Sequence, residues 1–239
     1  MVIVARIGPD TVLPARRTAL SLVAADGVRL EAELSLPVDR EPVASVVLLH
    51  PNPLGGGSMD SHLIRKAAAR LPALAGVATL RFNTRGTGAS GGVHDHGGAE
   101  RLDVEAAVGA VEGPVWLAGW SFGTDLALMH GLRAEVLGAV LFAPPLRRTP
   151  EERLTAWGAS GKRLRVVVPA LDDYLRPAEA RRRFAVAPQA EVVELPGCRH
   201  LFLGHAEAAL DALVEVVAPE VALPLPGEWP VVNVPPASG

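Results

Sequence analysis

Hydrophobic and polar positions alternate over residues 18–24 and 28–36, with Asp26-Gly27 between the two stretches. A period of two puts successive side chains on opposite faces of a strand, and Asp-Gly suits a tight turn, so the pattern predicts an antiparallel hairpin. Beyond it the pattern changes. Short, almost wholly apolar runs occur at Ala44–His50, Val77–Asn83, Val115–Trp120, Leu137–Ala143, Leu164–Pro169 and Glu191–Leu195. Runs of that length without alternation fit strands covered on both faces. Segments of helical composition mostly separate them, over residues 59–74, 99–111, 122–132, 177–186 and 205–217. Strand alternating with helix predicts an α/β fold: a mostly parallel central sheet, helices on both faces, and an antiparallel N-terminal hairpin at one edge. In such sheets ligands bind outside the carboxyl ends of the strands. The loops after His50, Asn83, Trp120, Ala143, Pro169 and Leu195 are therefore where chemistry is expected.

Composition narrows the picture. The 239 residues are 49% hydrophobic and 21% charged, which excludes disordered, collagen-like and disulfide-scaffold classes and allows a full core without a metal or disulfide staple. Aromatic residues make up only 4%, so small and branched aliphatic side chains must fill that core. A single domain is expected over residues 1–218. From Pro219 onward, prolines at 219, 224, 226, 230, 235 and 236 exclude a regular helix. The tail 219–239 is either an extended strap held through Val221, Leu223, Leu225 and Trp229, or partly disordered. A net charge of −3 and a pI near 6.2 give no electrostatic footprint for nucleic acid. No apolar run approaches the ~18 residues of a membrane span, and Met1–Ala5 is too short for the core of an export signal. Cys198 is alone and suits a reducing compartment. A soluble, cytoplasmic protein with a small-molecule partner, no nucleic acid and no membrane is the expectation.

Candidate chemistry begins at Gly119-Trp120-Ser121-Phe122-Gly123, a G-x-S-x-G pattern lying between an apolar strand and a helical segment. A serine on a sharp strand-to-helix turn needs small residues two positions either side, and the turn puts its hydroxyl at a helix N-terminus that favours developing negative charge. Ser121 is a candidate nucleophile; the alternative is a turn serine that only caps its helix. A serine hydroxyl needs a base, and the base needs an orienting acid. Asp172 follows the strand 164–169 and His200 follows the strand 191–195, which gives the order Ser121, Asp172, His200. That is the order found in α/β-hydrolases and not in the other familiar serine hydrolase folds. Asp173 is the alternative acid.

The chain resembles an α/β-hydrolase over residues 44–218, and within that superfamily it is similar to compact, lidless, dienelactone-hydrolase-like bacterial hydrolases. The resemblance rests on His50–Gly56 with Met59-Asp60, Arg81–Ser90, Asp95–Gly97, Gly119–Gly123 and Gly197–Gly204. It departs from the family pattern before the acid, where Pro169-Ala170-Leu171 replaces a small or glycine-rich turn. Acyl transfer needs two N–H donors for the oxyanion. One is the residue after the nucleophile, Phe122. Pro51 and Pro53 have no N–H, so the second reduces to Asn52 or Leu54, and the resemblance favours Asn52. Only about 20 residues separate the strands ending at Ala143 and beginning at Leu164, which leaves no space for a cap domain. A shallow pocket beside Trp120, Phe122, Leu146 and Tyr174, with Trp120, Leu54 and Tyr174 as substrate-binding residues, is expected to take small acyl substrates; the alternative is that the aromatics are core.

Other patterns in the chain compete with this one. Gly86-Thr87-Gly88-Ala89-Ser90-Gly91 matches G-x-G-x-x-G, but neither a helix opening at the third glycine nor an acidic end to the next strand follows, so a dinucleotide site is not expected. His94, Asp95 and His96 are too few for a metal site and read as a loop tether. Cys198 lacks an elbow motif and reads as inert packing. Arg181–Arg183 reads as a solvated helix face. The expected function is a serine hydrolase cleaving a carboxylic ester or related acyl bond, with no cofactor or metal. The alternatives are an acyltransferase with the same machinery and a catalytically silent, hydrolase-like binding protein.

Overall fold

The computed structural model describes residues 3–231. In chain order the strands are β1 (Ile3–Arg6), β2 (Arg16–Val23), β3 (Arg29–Leu36), β4 (Ser45–Leu49), β5 (Ala78–Phe82), β6 (Val115–Trp120), β7 (Val136–Phe142), β8 (Arg163–Pro169), β9 (Ala190–Leu195) and β10 (Glu228–Val231). The helices are α1 (His62–Ala75), α2 (Glu100–Val108), α3 (Phe122–His130), α4 (Glu151–Ser160), α5 (Pro177–Arg183) and α6 (Ala206–Val217). Strands β2 to β9 form one sheet in the order β2-β3-β5-β4-β6-β7-β8-β9. The hairpin β2–β3 forms as its alternation predicts, closed by Gly27 at φ 85° and an amide-to-carbonyl bond from Gly27 to Ala24 of 2.8 Å. Its second strand meets β5 antiparallel, and every pairing from β5–β4 to β8–β9 is parallel.

The sheet is covered on both faces, and the side chains of β4 show how. Val47 and Leu49 join Leu117, Leu126, Leu154 and Trp157 beneath α2 to α5, while Val46 and Leu48 join Leu63, Leu71, Ala118 and Leu213 beneath α1 and α6. All four β4 side chains are buried, which explains why these strands read as unbroken apolar runs. Burying a Val or Leu side chain contributes roughly 1.5–3 kcal/mol, so the central strands hold the two layers together mainly through aliphatic area.

Two elements have no counterpart in the sequence pattern. Helix α4 occupies the space where a lid would insert. Leu154 and Trp157 are its buried residues, and Gly158 interrupts its pattern. The glycine has a packing reason: a Cβ there would lie 2.3 Å from the Val186 carbonyl oxygen. The Trp157 indole N–H donates to the Leu128 carbonyl of α3 at 3.0 Å, so α4 is docked into the body of the domain. The second is an antiparallel ribbon of β1 with β10, extended by the Ile7 amide donating to Gly227 at 2.8 Å. The proline-rich tail follows turns and bends from residue 219 to 227 and is a strand only in β10; Val221 and Leu225 pack on the α1/α6 layer, and the Leu225 amide donates to Asp211. Leu223, expected as one of its anchors, is exposed instead. Residues 232–239 lie outside the described residues. Among the described residues no helix is long and apolar enough to cross a membrane.

Candidate active site

Ser121 sits between β6 and α3 with φ 53° and ψ −117°, a conformation L-residues rarely adopt. The strain is held by its neighbours. The Ser121 amide donates to Phe142 of β7 at 2.9 Å, and the Ser121 carbonyl accepts from the Thr124 amide at 2.8 Å and its hydroxyl at 2.6 Å. Both glycines of the motif are required by close approach. A Cβ on Gly119 would lie 2.4 Å from the Gly123 carbonyl oxygen, and one on Gly123 would lie 2.2 Å from the Leu49 carbonyl oxygen of β4.

The loops after β8 and β9 are tied together at backbone level, with Ala170 donating to Leu195 and Leu171 to Cys198, each at 2.9 Å. They bring Asp172 and His200 to the elbow. Asp172 Oδ2 lies 2.8 Å from His200 Nδ1, and His200 Nε2 lies 2.9 Å from Ser121 Oγ. A carboxylate can only accept, so Nδ1 carries the proton and Nε2 is left as the acceptor facing the serine hydroxyl. Burial raises the Asp172 carboxyl, but hydrogen bonds from His200 and from the Tyr174 and Leu175 amides outweigh it and hold the group below its ordinary range. Asp173 is exposed and makes no such contact. The loop after Pro169 thus presents its acid without the glycine-rich turn, because Asp172 Oδ1 itself closes a turn onto the amides two and three residues on.

The loop after β4 is built around His50. This ring is fully buried, donates from Nδ1 to the Pro51 carbonyl at 2.7 Å and accepts at Nε2 from the Thr84 amide at 3.1 Å. Burial pushes its pKa down to about 4, so it is a neutral anchor. Asn52 then caps a short 3-10 turn, its Oδ1 accepting the Leu54 amide at 3.2 Å. That bond occupies Leu54 N–H. Among the described residues, neither Asn52 N–H nor Phe122 N–H has a protein acceptor. Both residues line the cleft that contains Ser121.

This open cleft has a volume of about 450 Å³. Tyr174 belongs to it, half-exposed, with its ring centroid 4.5 Å from that of His200. Three expected pocket residues do not. Trp120 ends a strand, so its side chain alternates to the α1/α6 face; it is buried there, and its indole N–H donates to the His200 carbonyl at 3.1 Å. It supports the histidine loop from beneath. Leu54 is 70% exposed on its proline-flanked turn, and Leu146 is buried in the α2–α5 layer. In their place the cleft is lined by Pro145, Arg147, Arg148 and Asp125. The loop after β7 carries no motif, and the only sequence signal was its position at a strand's carboxyl end with two consecutive arginines.

The glycine-rich loop after β5 is tied to its surroundings by several polar contacts. Arg85 pairs with Asp103 and Asp26, Asn83 with Glu31 and the Met59 amide, and Ser90 Oγ donates to the Asn83 carbonyl. A Cβ on Gly86 would lie 2.6 Å from the His94 amide nitrogen, so the glycine serves the fold of this loop. Asp95 accepts the Ala99 amide, and the buried Glu100 accepts the Asp95 and Gly97 amides at 2.8 Å each, as a loop tether should. Cys198 is fully buried and its thiol is raised to about 11 by burial and by the nearby Asp172 carboxylate, which suits packing and not nucleophilic attack.

Solved structures resemble this arrangement. A lidless α/β serine hydrolase from Xanthomonas campestris matches with a TM-score of 0.72 and 25% identity, over 89% of this chain and 100% of its own. An α/β serine hydrolase homologue from Coxiella burnetii matches at 0.71 and 25% identity, over 86% of this chain and 97% of its own. An esterase from Pyrococcus furiosus shares the fold at 16% identity, with a TM-score of 0.70 over 91% of this chain and 98% of its own. No protein-family model matches the chain, and no curated protein matches its sequence. The sheet order, the strained elbow and these likenesses place the chain in the α/β-hydrolase superfamily, with a build that lacks a lid.

Proposed function

We propose that this protein is a serine hydrolase that cleaves a carboxylic ester or related acyl bond through an acyl-enzyme intermediate. The observation that carries the reading is the continuous line from Asp172 through His200 to Ser121, ending on a hydroxyl held at a strained elbow inside a cleft. Ser121 Oγ attacks the acyl carbon while its proton passes to His200 Nε2. Asp172 keeps the imidazole in the right tautomer and stabilises the imidazolium. The carbonyl oxygen becomes an oxyanion, held by the Asn52 and Phe122 N–H groups at the positive end of α3. As the tetrahedral intermediate collapses, the bond to the leaving oxygen breaks and that oxygen takes the proton from His200. Water then attacks the acyl-enzyme by the same route and releases the acid. The open cleft and α4 in the lid position support the compact, dienelactone-hydrolase-like subgroup and its small substrates.

A fluorophosphonate probe tests the nucleophile. Labelling of the wild-type protein that disappears in Ser121→Ala is the expected result; labelling that persists in the variant, or none in the wild type, overturns the assignment.

A further inference from the structure

The cleft beside Ser121 holds two cations that the fold itself does not use. Arg147 and Arg148 lie in the loop after β7 and are exposed. Among the described residues neither guanidinium is ion-paired, whereas Arg70, Arg81, Arg85 and Arg165 all pair with carboxylates. Both are nevertheless positioned. The Arg147 guanidinium carbon lies 4.7 Å from the centroid of the Tyr174 ring, and that of Arg148 lies 5.6 Å from the centroid of Phe122. Stacking on a ring fixes a guanidinium while leaving its edge N–H groups free for a planar anion. The Asp125 carboxylate lines the same cleft but forms no ion pair with either guanidinium; its Oδ1 accepts the Thr149 hydroxyl at 2.6 Å and the Thr149 and Arg148 backbone amides. Arg148 has one further polar neighbour, His96 Nδ1 at 3.5 Å.

A second cleft of about 520 Å³ adjoins His200 and is lined by Leu201 and Leu203 together with Asp173 and Arg199, whose charges oppose. The two leucines are 54% and 69% exposed. Ser121 and the two N–H groups proposed to hold the oxyanion line the cleft with the arginines, while His200, which would protonate the leaving oxygen, lines the cleft with the leucines.

Resting on the hydrolase reading above, we propose that the acyl group of the substrate carries a terminal anion received by Arg147 and Arg148, and that the alcohol leaving group is neutral and apolar. The substrate class is a half-ester of a short dicarboxylic acid with an apolar alcohol.

The test compares turnover of 1-naphthyl hemisuccinate with that of 1-naphthyl pentanoate, an ester of similar acyl size without the charge. The wild-type protein is expected to favour the hemisuccinate by about ten-fold or more in kcat/KM, chiefly through KM, the order expected of one charge-assisted hydrogen bond. The preference should collapse toward unity in Arg147→Gln/Arg148→Gln and shrink in 0.5 M salt. Equal or faster turnover of the pentanoate by the wild type, or a preference that survives in the double variant, overturns this inference and leaves the hydrolase reading standing. Failure to turn over either ester, together with no fluorophosphonate labelling, removes both.

Discussion

Two histidines of this protein face a buried carboxylate, and only one of the two also meets a side-chain hydroxyl. His94 Nδ1 lies 2.7 Å from Glu100 Oε1, and His200 Nδ1 lies 2.8 Å from Asp172 Oδ2. Both carboxylates also accept two backbone amides. The far side of each ring differs. His200 Nε2 meets the Ser121 hydroxyl, while His94 Nε2 has no hydrogen-bond partner among the described residues, its ring lying against Phe122 and His96. The near side differs as well, since the His94 to Glu100 contact has the distance of a hydrogen bond without the angle. A histidine beside a carboxylate is thus not in itself a catalytic pair. The second nitrogen needs a nucleophile, and the nucleophile needs an elbow that lifts it into a cleft.

The largest expected contrast follows from that difference. His200→Ala should lower kcat on a short ester by roughly 10⁶-fold, as loss of a triad base does, while His94→Ala should leave it within about ten-fold. Comparable losses from both, with both variants folded by circular dichroism, would erase the distinction. The acids come next. Asp172→Asn should cost about 10⁴-fold in kcat by fixing the wrong tautomer, and Asp173→Asn, exposed and with no hydrogen bond to the ring, only a few-fold.

Smaller effects separate structure from chemistry. Glu100→Gln weakens the acceptor for the buried Gly97 amide and the part-buried Asp95 amide, and about 1–3 kcal/mol of stability should go with it, read as a lower denaturation midpoint with kcat largely kept. Gly123→Ala forces a methyl against the Leu49 carbonyl, and overpacking there should cost about 1–3 kcal/mol. The smallest concerns pH. The folded-state pKa of Asp172 lies below its ordinary value of 3.8. Its stability contribution is therefore complete above that value and is lost as pH falls through the folded-state pKa. Asparagine does not titrate, so the stability difference between wild type and Asp172→Asn should narrow on acidification below about pH 4, in denaturant titrations across that range.

Much of this was legible in the residues because it rests on local rules. Alternation around Asp26-Gly27 announced the hairpin, and unbroken aliphatic runs announced the doubly covered strands. The order Ser121, Asp172, His200 at successive strand ends announced the line of three side chains. The rest depended on tertiary context. Helix α4 shows few buried residues because it packs through Trp157 and a close backbone approach at Gly158, neither of which makes a periodic signal. The β1–β10 ribbon joins the two ends of the described chain, so nothing local encodes it. Trp120 adjoins Ser121 in sequence yet faces the α1/α6 layer, because a strand turns successive side chains to opposite sides. Arg147 and Arg148 reach the cleft through the path of the loop after β7, which sequence spacing does not reveal.

The central claim is that Ser121 carries the acyl group. Mass spectrometry of the protein quenched during turnover of a slow ester tests it directly. The account predicts a mass increase equal to the acyl group on the peptide containing Ser121, absent from Ser121→Ala. Ester turnover with the acyl group on another residue, or turnover that continues unchanged in Ser121→Ala, would contradict it.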